Sequence, residues 1–152
     1  RGAEEDEESN LKMAISYADT KGNPIDPVQL EQSQEFVVTV TVANPGLRGP
    51  YKNLALSQIF PSGWEINNLR LEEVEDRLSG DVPTYQDIRD DRVYTHFDLA
   101  PNQQKTFKVL LTASYVGSYY LPAVSCEGMY DRAVYARKKG KVVEVVKANV
   151  NQ

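Results

Sequence analysis

The sequence predicts an all-β protein, an antiparallel immunoglobulin-like β-sandwich of about seven or more strands. Three observations carry this prediction. Apolar residues recur at every second position, as in EFVVTVTVA, the spacing of a strand with one buried face. Seven such stretches follow one another, separated by clusters rich in Gly, Pro, Asn and Asp. At 152 residues the chain is long enough to bury roughly 70% of its unfolded surface without disulfides.

The elements follow in order. RGAEEDEE opens the chain with nothing to bury, so residues 1–10 read as an acidic linker or disordered arm outside the fold. Residues 11–152 read as a single β-sandwich domain. Leu11, Met13, Ile15 and Tyr17 alternate with polar residues and predict the first strand. KGNPIDP ends it, because Gly22, Pro24 and Pro27 interrupt any ladder. Phe36, Val38, Val40 and Val42 predict the second strand, which NPGLRGPY at 44–51 stops. LALSQIF (54–60), RVYTHFDL (92–99), KTFKVLLTASY (105–115), SYYLPAVSCEGMY (118–130) and KVVEVV (141–146) complete the seven. The alternation places Phe36, Val38, Val40, Phe97, Val109 and Leu111 inside. In LRLEEVEDRLSG, residues 69–80, Leu71, Val74 and Leu78 fall at three- and four-residue spacing, which fits either one short helix or a long crossing loop. ARKKGK, 136–141, reads as a hairpin turn whose lysines face water.

Composition excludes several classes of function. A net charge of −5 disfavours nucleic acid and anionic membrane surfaces as partners. No run of about 18 apolar residues is present, so direct membrane insertion through a helix is not expected. Cys126 is the only cysteine and His96 the only histidine, too few for a zinc site. Cys126 lies in an apolar strand and reads as a small core residue. The chain opens with Arg1, as a piece of a larger protein would.

DIRDDRVYTHFDL, residues 87–99, gathers the densest set of candidate catalytic groups: Asp87, Asp90, Asp91 and Asp98 around Arg89, Arg92 and His96. On a strand with Val93, Thr95, Phe97 and Leu99 inward, His96 and Asp98 share the opposite face. A base with its orienting carboxylate also needs a nucleophile at the other ring nitrogen, and no residue with a recognisable setting supplies one. The acid spacing does not match a calcium loop, and the interleaved arginines favour ion pairs. The residues therefore predict no catalytic group, no metal site and no cofactor, and the protein is read as a non-enzyme.

A family resemblance sharpens this reading. YKNLALSQIFPSGWEI (51–66), YQDIRDDRVYTHFDL (85–99) and YYLPAVSCEGMYDRAVYAR (119–137) together resemble the C-terminal, receptor-binding-like domain of bacterial alpha-2-macroglobulins. The resemblance implies a macroglobulin-like sandwich that forms the last piece of a large protein of the periplasm or cell envelope. Such a protein traps proteases after cleavage of a bait segment, often with an internal thioester. The implied partners are other domains of the same parent chain and, through the parent, proteases. CEGM at 126–129 lacks the Gln of a Cys-x-Glu-Gln thioester motif, so Cys126 is not the thioester cysteine. In the family a tyrosine of the last domain contacts and shields the thioester. Tyr130 in EGMYD is the matching residue, with Met129 and Asp131 beside it as candidate interdomain contacts. The other reading open to the residues is a stand-alone extracellular binding or adhesion module for a protein or carbohydrate ligand.

Overall fold

The computed structural model describes residues 5–67 and 80–148, so the expectation over 69–80 falls almost wholly outside the described residues. Among the described residues the chain forms thirteen strands and no helix. They are β1 (Glu7–Ser9), β2 (Lys12–Asp19), β3 (Gln29–Glu31), β4 (Glu35–Ala43), β5 (Tyr51–Ile59), β6 (Trp64–Ile66), β7 (Tyr85–Ile88), β8 (Arg92–Leu99), β9 (Gln104–Ala113), β10 (Gly117–Leu121), β11 (Val124–Gly128), β12 (Asp131–Lys138) and β13 (Lys141–Val146). A six-stranded sheet has the order β1-β12-β11-β5-β8-β7, a four-stranded sheet β2-β4-β9-β6, and a three-stranded sheet β10-β13-β3. Every pairing is antiparallel except that of β13 with β3.

Alternation decides which residues meet between the sheets. Phe36, Val38, Val40, Phe97, Val109 and Leu111 are all buried, as the period of two requires. Phe97 on β8 meets Phe107 on β9 with ring centroids 4.7 Å apart, which ties the six-stranded sheet to the four-stranded one. Trp64 is only 3% exposed and stands edge-on to Phe36 at 4.9 Å. Each such side chain contributes roughly 1.5–3 kcal/mol by leaving water. The interior also holds polar groups: the amide of Gln58 and the Nε1 of Trp64 are buried and, among the described residues, meet no hydrogen-bonding group.

Three expectations are corrected. SYYLPAVSCEGMY is not one strand: Pro122 has no N–H for a ladder, and the chain passes there from β10 in the three-stranded sheet to β11 in the six-stranded one. ARKKGK is not a hairpin turn, because β12 and β13 belong to different sheets and the segment is a crossing between them. The acidic arm is not wholly outside the fold. Glu7–Ser9 pair with Tyr135–Arg137 as an edge strand, since Arg137 offers Glu7 an opposite charge at 2.7 Å and Asp6 accepts the backbone N–H of Lys139 at 2.8 Å.

Candidate interdomain site

β11 ends in a register shift at Glu127/Gly128, and Met129 and Tyr130 then turn the chain into β12. The bulge takes this turn out of the alternation, so its side chains are released from the core. Tyr130 is 84% exposed and Met129 53%. The backbone beneath them is held. Met129 N–H donates to the Asn53 carbonyl at 3.1 Å, and Asn53 N–H donates to Asp98 Oδ1 at 2.9 Å. Asn53 itself has a φ of +55°, a left-handed conformation that asparagine tolerates.

Asp131 closes the turn from the other side. Its Oδ1 accepts the Ala133 N–H at 3.0 Å and its Oδ2 meets the Arg48 guanidinium at 3.0 Å. The backbone N–H of Ala133 and the Arg48 charge hold its carboxyl below the usual carboxylate range. Arg48 sits on the 44–50 loop between Gly46 and Gly49, both at positive φ. The buried Asn44 staples that loop, donating to the Gly49 carbonyl at 2.9 Å while its Oδ1 accepts from Gly46 N–H at 2.8 Å. The same loop carries Leu47 at 80% exposure. Between loop and turn lies a cleft of about 380 Å³ walled by Pro50, Tyr51, Leu54, Val134 and Tyr130, with Arg48, Lys52 and Asp131 at its rim.

This arrangement offers an aromatic ring, two flexible apolar side chains and a neutralised ion pair, the mixture that enriches contact surfaces. The structure places Tyr130, Met129 and Asp131, the candidates named from the sequence, on one turn, and sets Leu47, Arg48, Asn53 and the Asn44 staple, which the sequence did not single out, beside it. The paired glycines in NPGLRGP were the available signal, since closely spaced positive-φ positions fix the direction of the residue between them.

The charged segment 87–99 lies elsewhere, on β7 and β8. Arg89 pairs with Asp87 at 3.0 Å, and Arg92 binds both oxygens of Asp91 at 2.9 and 3.1 Å while donating to the Tyr94 hydroxyl at 3.2 Å. The Arg92 hydrogen bonds hold Asp91 below the usual carboxylate range. His96 and Asp98 do share one half-buried face. The Asp98 carboxylate accepts from Asn53 N–H, and the His96 ring lies 5.7 Å from that of Tyr85. Arginine and backbone partners thus occupy Asp87, Asp91 and Asp98, three of the four acids that the sequence raised as catalytic or cation-binding groups. Among the described residues no cluster of His, Cys, Asp and Glu is arranged to hold a metal.

Cys126 is fully buried on β11 between Leu56 and Ala136 of its neighbouring strands. Burial pushes its thiol pKa far above the ordinary value, because the thiolate cannot be solvated there. A thiol reagent is expected to modify the native domain negligibly over an hour at pH 8 and to modify one thiol per chain in denaturant. Rapid labelling of the folded protein, followed by mass spectrometry, would contradict this.

Residues 11–132 match the model of the Bacterial Alpha-2-macroglobulin MG10 domain family. The chain is 27% identical over 135 residues to an alpha-2-macroglobulin of Pasteurella multocida, covering 87% of this chain and 7% of that protein. It is 29% identical over 154 residues to an alpha-2-macroglobulin homolog of Yersinia pestis, covering 88% of this chain and 8% of the relative. The chain thus spans less than a tenth of the length of these curated relatives. The same fold recurs in native Escherichia coli alpha-2-macroglobulin spanning domain MG7 to the C-terminus, at a TM-score of 0.81 and 18% identity over 95% of this chain and 24% of that one. It recurs also in Salmonella alpha-2-macroglobulin reacted with methylamine, at a TM-score of 0.81 and 21% identity over 95% of this chain and 10% of that one. With a family match running from the first buried leucine to the residue after Asp131, this chain belongs to the bacterial alpha-2-macroglobulin MG10 domain family.

Proposed function

We propose that this chain is a non-catalytic domain at the C-terminal end of an alpha-2-macroglobulin-like protease-trapping protein of the periplasm or cell envelope. Its Tyr130 turn docks on the thioester domain, or on the domain that takes its place, with Met129 and Asp131 contributing to the contact. One observation carries this reading: a tyrosine almost fully exposed on a turn whose backbone and flanking carboxylate are tied down on both sides. An isolated fold gains nothing from an aromatic ring presented to water on a rigid mount. A docked partner gains an apolar plate that excludes water and a hydroxyl that can hold a carbonyl. The family membership, and the small share of each relative that the chain spans, support a role inside a larger parent over that of a stand-alone adhesion module.

Tyr130→Ala separates docking from folding. In the isolated domain the substitution is expected to change the unfolding free energy by less than about 0.5 kcal/mol, the range of ordinary surface positions. In a thioester-bearing parent it is expected to speed reaction with methylamine by about tenfold, equivalent to about 1.4 kcal/mol of lost docking. A stability loss above about 2 kcal/mol in the fragment makes Tyr130 a structural residue and sinks the proposal.

A further inference from the structure

The acidic arm and the basic segment around Arg137 are unexplained by the docking site, and they lie against each other. The family match covers neither the arm nor residues 133–139. Glu7, Glu8 and Ser9 pair in antiparallel register with Arg137, Ala136 and Tyr135. Arg137 meets the Glu7 carboxylate at 2.7 Å, and Asp6 accepts the Lys139 N–H at 2.8 Å. Glu8 turns the other way, its Oε2 accepting the Met13 N–H at 2.9 Å.

The pairing ends where β12 leaves the Tyr130 turn. Ser9 Oγ and Asn10 Nδ2 both donate to the carbonyl of Ala133, at 2.8 and 2.9 Å. The N–H of that same residue donates to Asp131 Oδ1. Asn10 has a φ of +57°, and its carbonyl accepts the hydroxyl of Tyr51 at 2.6 Å, a side chain that walls the cleft beside Tyr130. The arm is therefore bonded to the turn through Ala133 and Asp131, and it also holds Tyr51, which lines the same cleft as Tyr130.

We propose that the arm is the positioning element of the Tyr130 turn: Glu7 and Arg137 hold it on the edge of β12, and Ser9 and Asn10 transmit its position to the turn. The inference rests on the reading of Tyr130 as a docking residue and adds a control to it. In a parent protein whose preceding segment joins at the arm, a rearrangement that draws the arm off β12 removes two hydrogen bonds from Ala133 and loosens the turn. The latch is an exposed ion pair plus a three-residue ladder, weak enough to open and sensitive to salt.

Amide hydrogen exchange on the intact chain, resolved by NMR, tests the coupling. Arg137→Glu is expected to raise exchange at Glu7–Ser9 by about fivefold or more, the upper reach of a surface ion pair, and to raise it in parallel at Met129 and Ala133. Amides of Val38 and Val40 on β4 serve as the folding control and are expected to be unchanged. The double substitution Glu7→Arg with Arg137→Glu restores opposite charges and is expected to return both the arm and the turn to wild-type exchange. Loss of arm protection with no change at Met129 and Ala133 would overturn the proposal, as would an arm still protected in Arg137→Glu. Neither outcome depends on the methylamine reaction of the parent, so failure of the coupling and failure of the docking reading are seen separately.

Discussion

Phe36→Ala is expected to remove about 3–5 kcal/mol of unfolding free energy, most of the reserve of a marginally stable domain. Phe36 is completely buried on β4, its ring 4.9 Å from Trp64 and 6.5 Å from Tyr17. β4 is itself an inner strand, paired with β2 on one side and β9 on the other. The surrounding backbone is laddered on both sides and cannot collapse into the space left by the ring, so a cavity cost adds to the lost transfer energy. Urea denaturation followed by Trp64 emission measures the effect as a lower midpoint at unchanged slope. A loss below about 1 kcal/mol would mean that the Phe36–Trp64 contact is loosely packed.

Gln58→Leu is expected to act in the opposite direction, stabilising the domain by about 1–3 kcal/mol. Gln58 points inward from β5 in sequence with Leu54, Leu56 and Phe60, and among the described residues neither its amide nitrogen nor its oxygen meets a hydrogen-bonding group. Burying such a group costs its full desolvation, whereas leucine at this inward position adds apolar contact at similar volume. Equal or lower stability for the leucine variant would show that the amide is satisfied in solution, through an ordered water.

How much of this was legible in the sequence depends on how far apart the interacting parts lie. β4, β8 and β13 run over EFVVTVTVA, RVYTHFDL and KVVEVV because each buries one face, so the period of two shows through even where Val37 of β4 is buried on the other face as well. β3, β6 and β7 were not read: three or four residues are too few to show a period, and each exists because a longer strand offers it an edge. The division at Pro122 was visible as a ladder defect, but no local signal says that the chain changes sheets there. The same limit explains the arm. Five acidic residues in the first eight argue for water, and only the fold brings Arg137 to meet them. Tyr130 came from a family pattern and not from periodicity, since the bulge before it cancels the alternation that could have placed its side chain.

The edge pairing of β1 with β12 also has a consequence in time. Glu7 and Arg137 are 130 residues apart in the chain. At about 5–20 residues per second, a ribosome that has made the arm takes on the order of 10 s to make its partner. β2 and β4 emerge in that interval and can pair with each other, while the arm waits as an unsatisfied strand. A waiting strand of apolar residues would invite pairing with other nascent chains. Glu4, Glu5, Asp6, Glu7 and Glu8 repel that company. Their charge, later matched by Arg137, thus serves first as protection during synthesis, and β1 is among the last pieces of the sandwich to close.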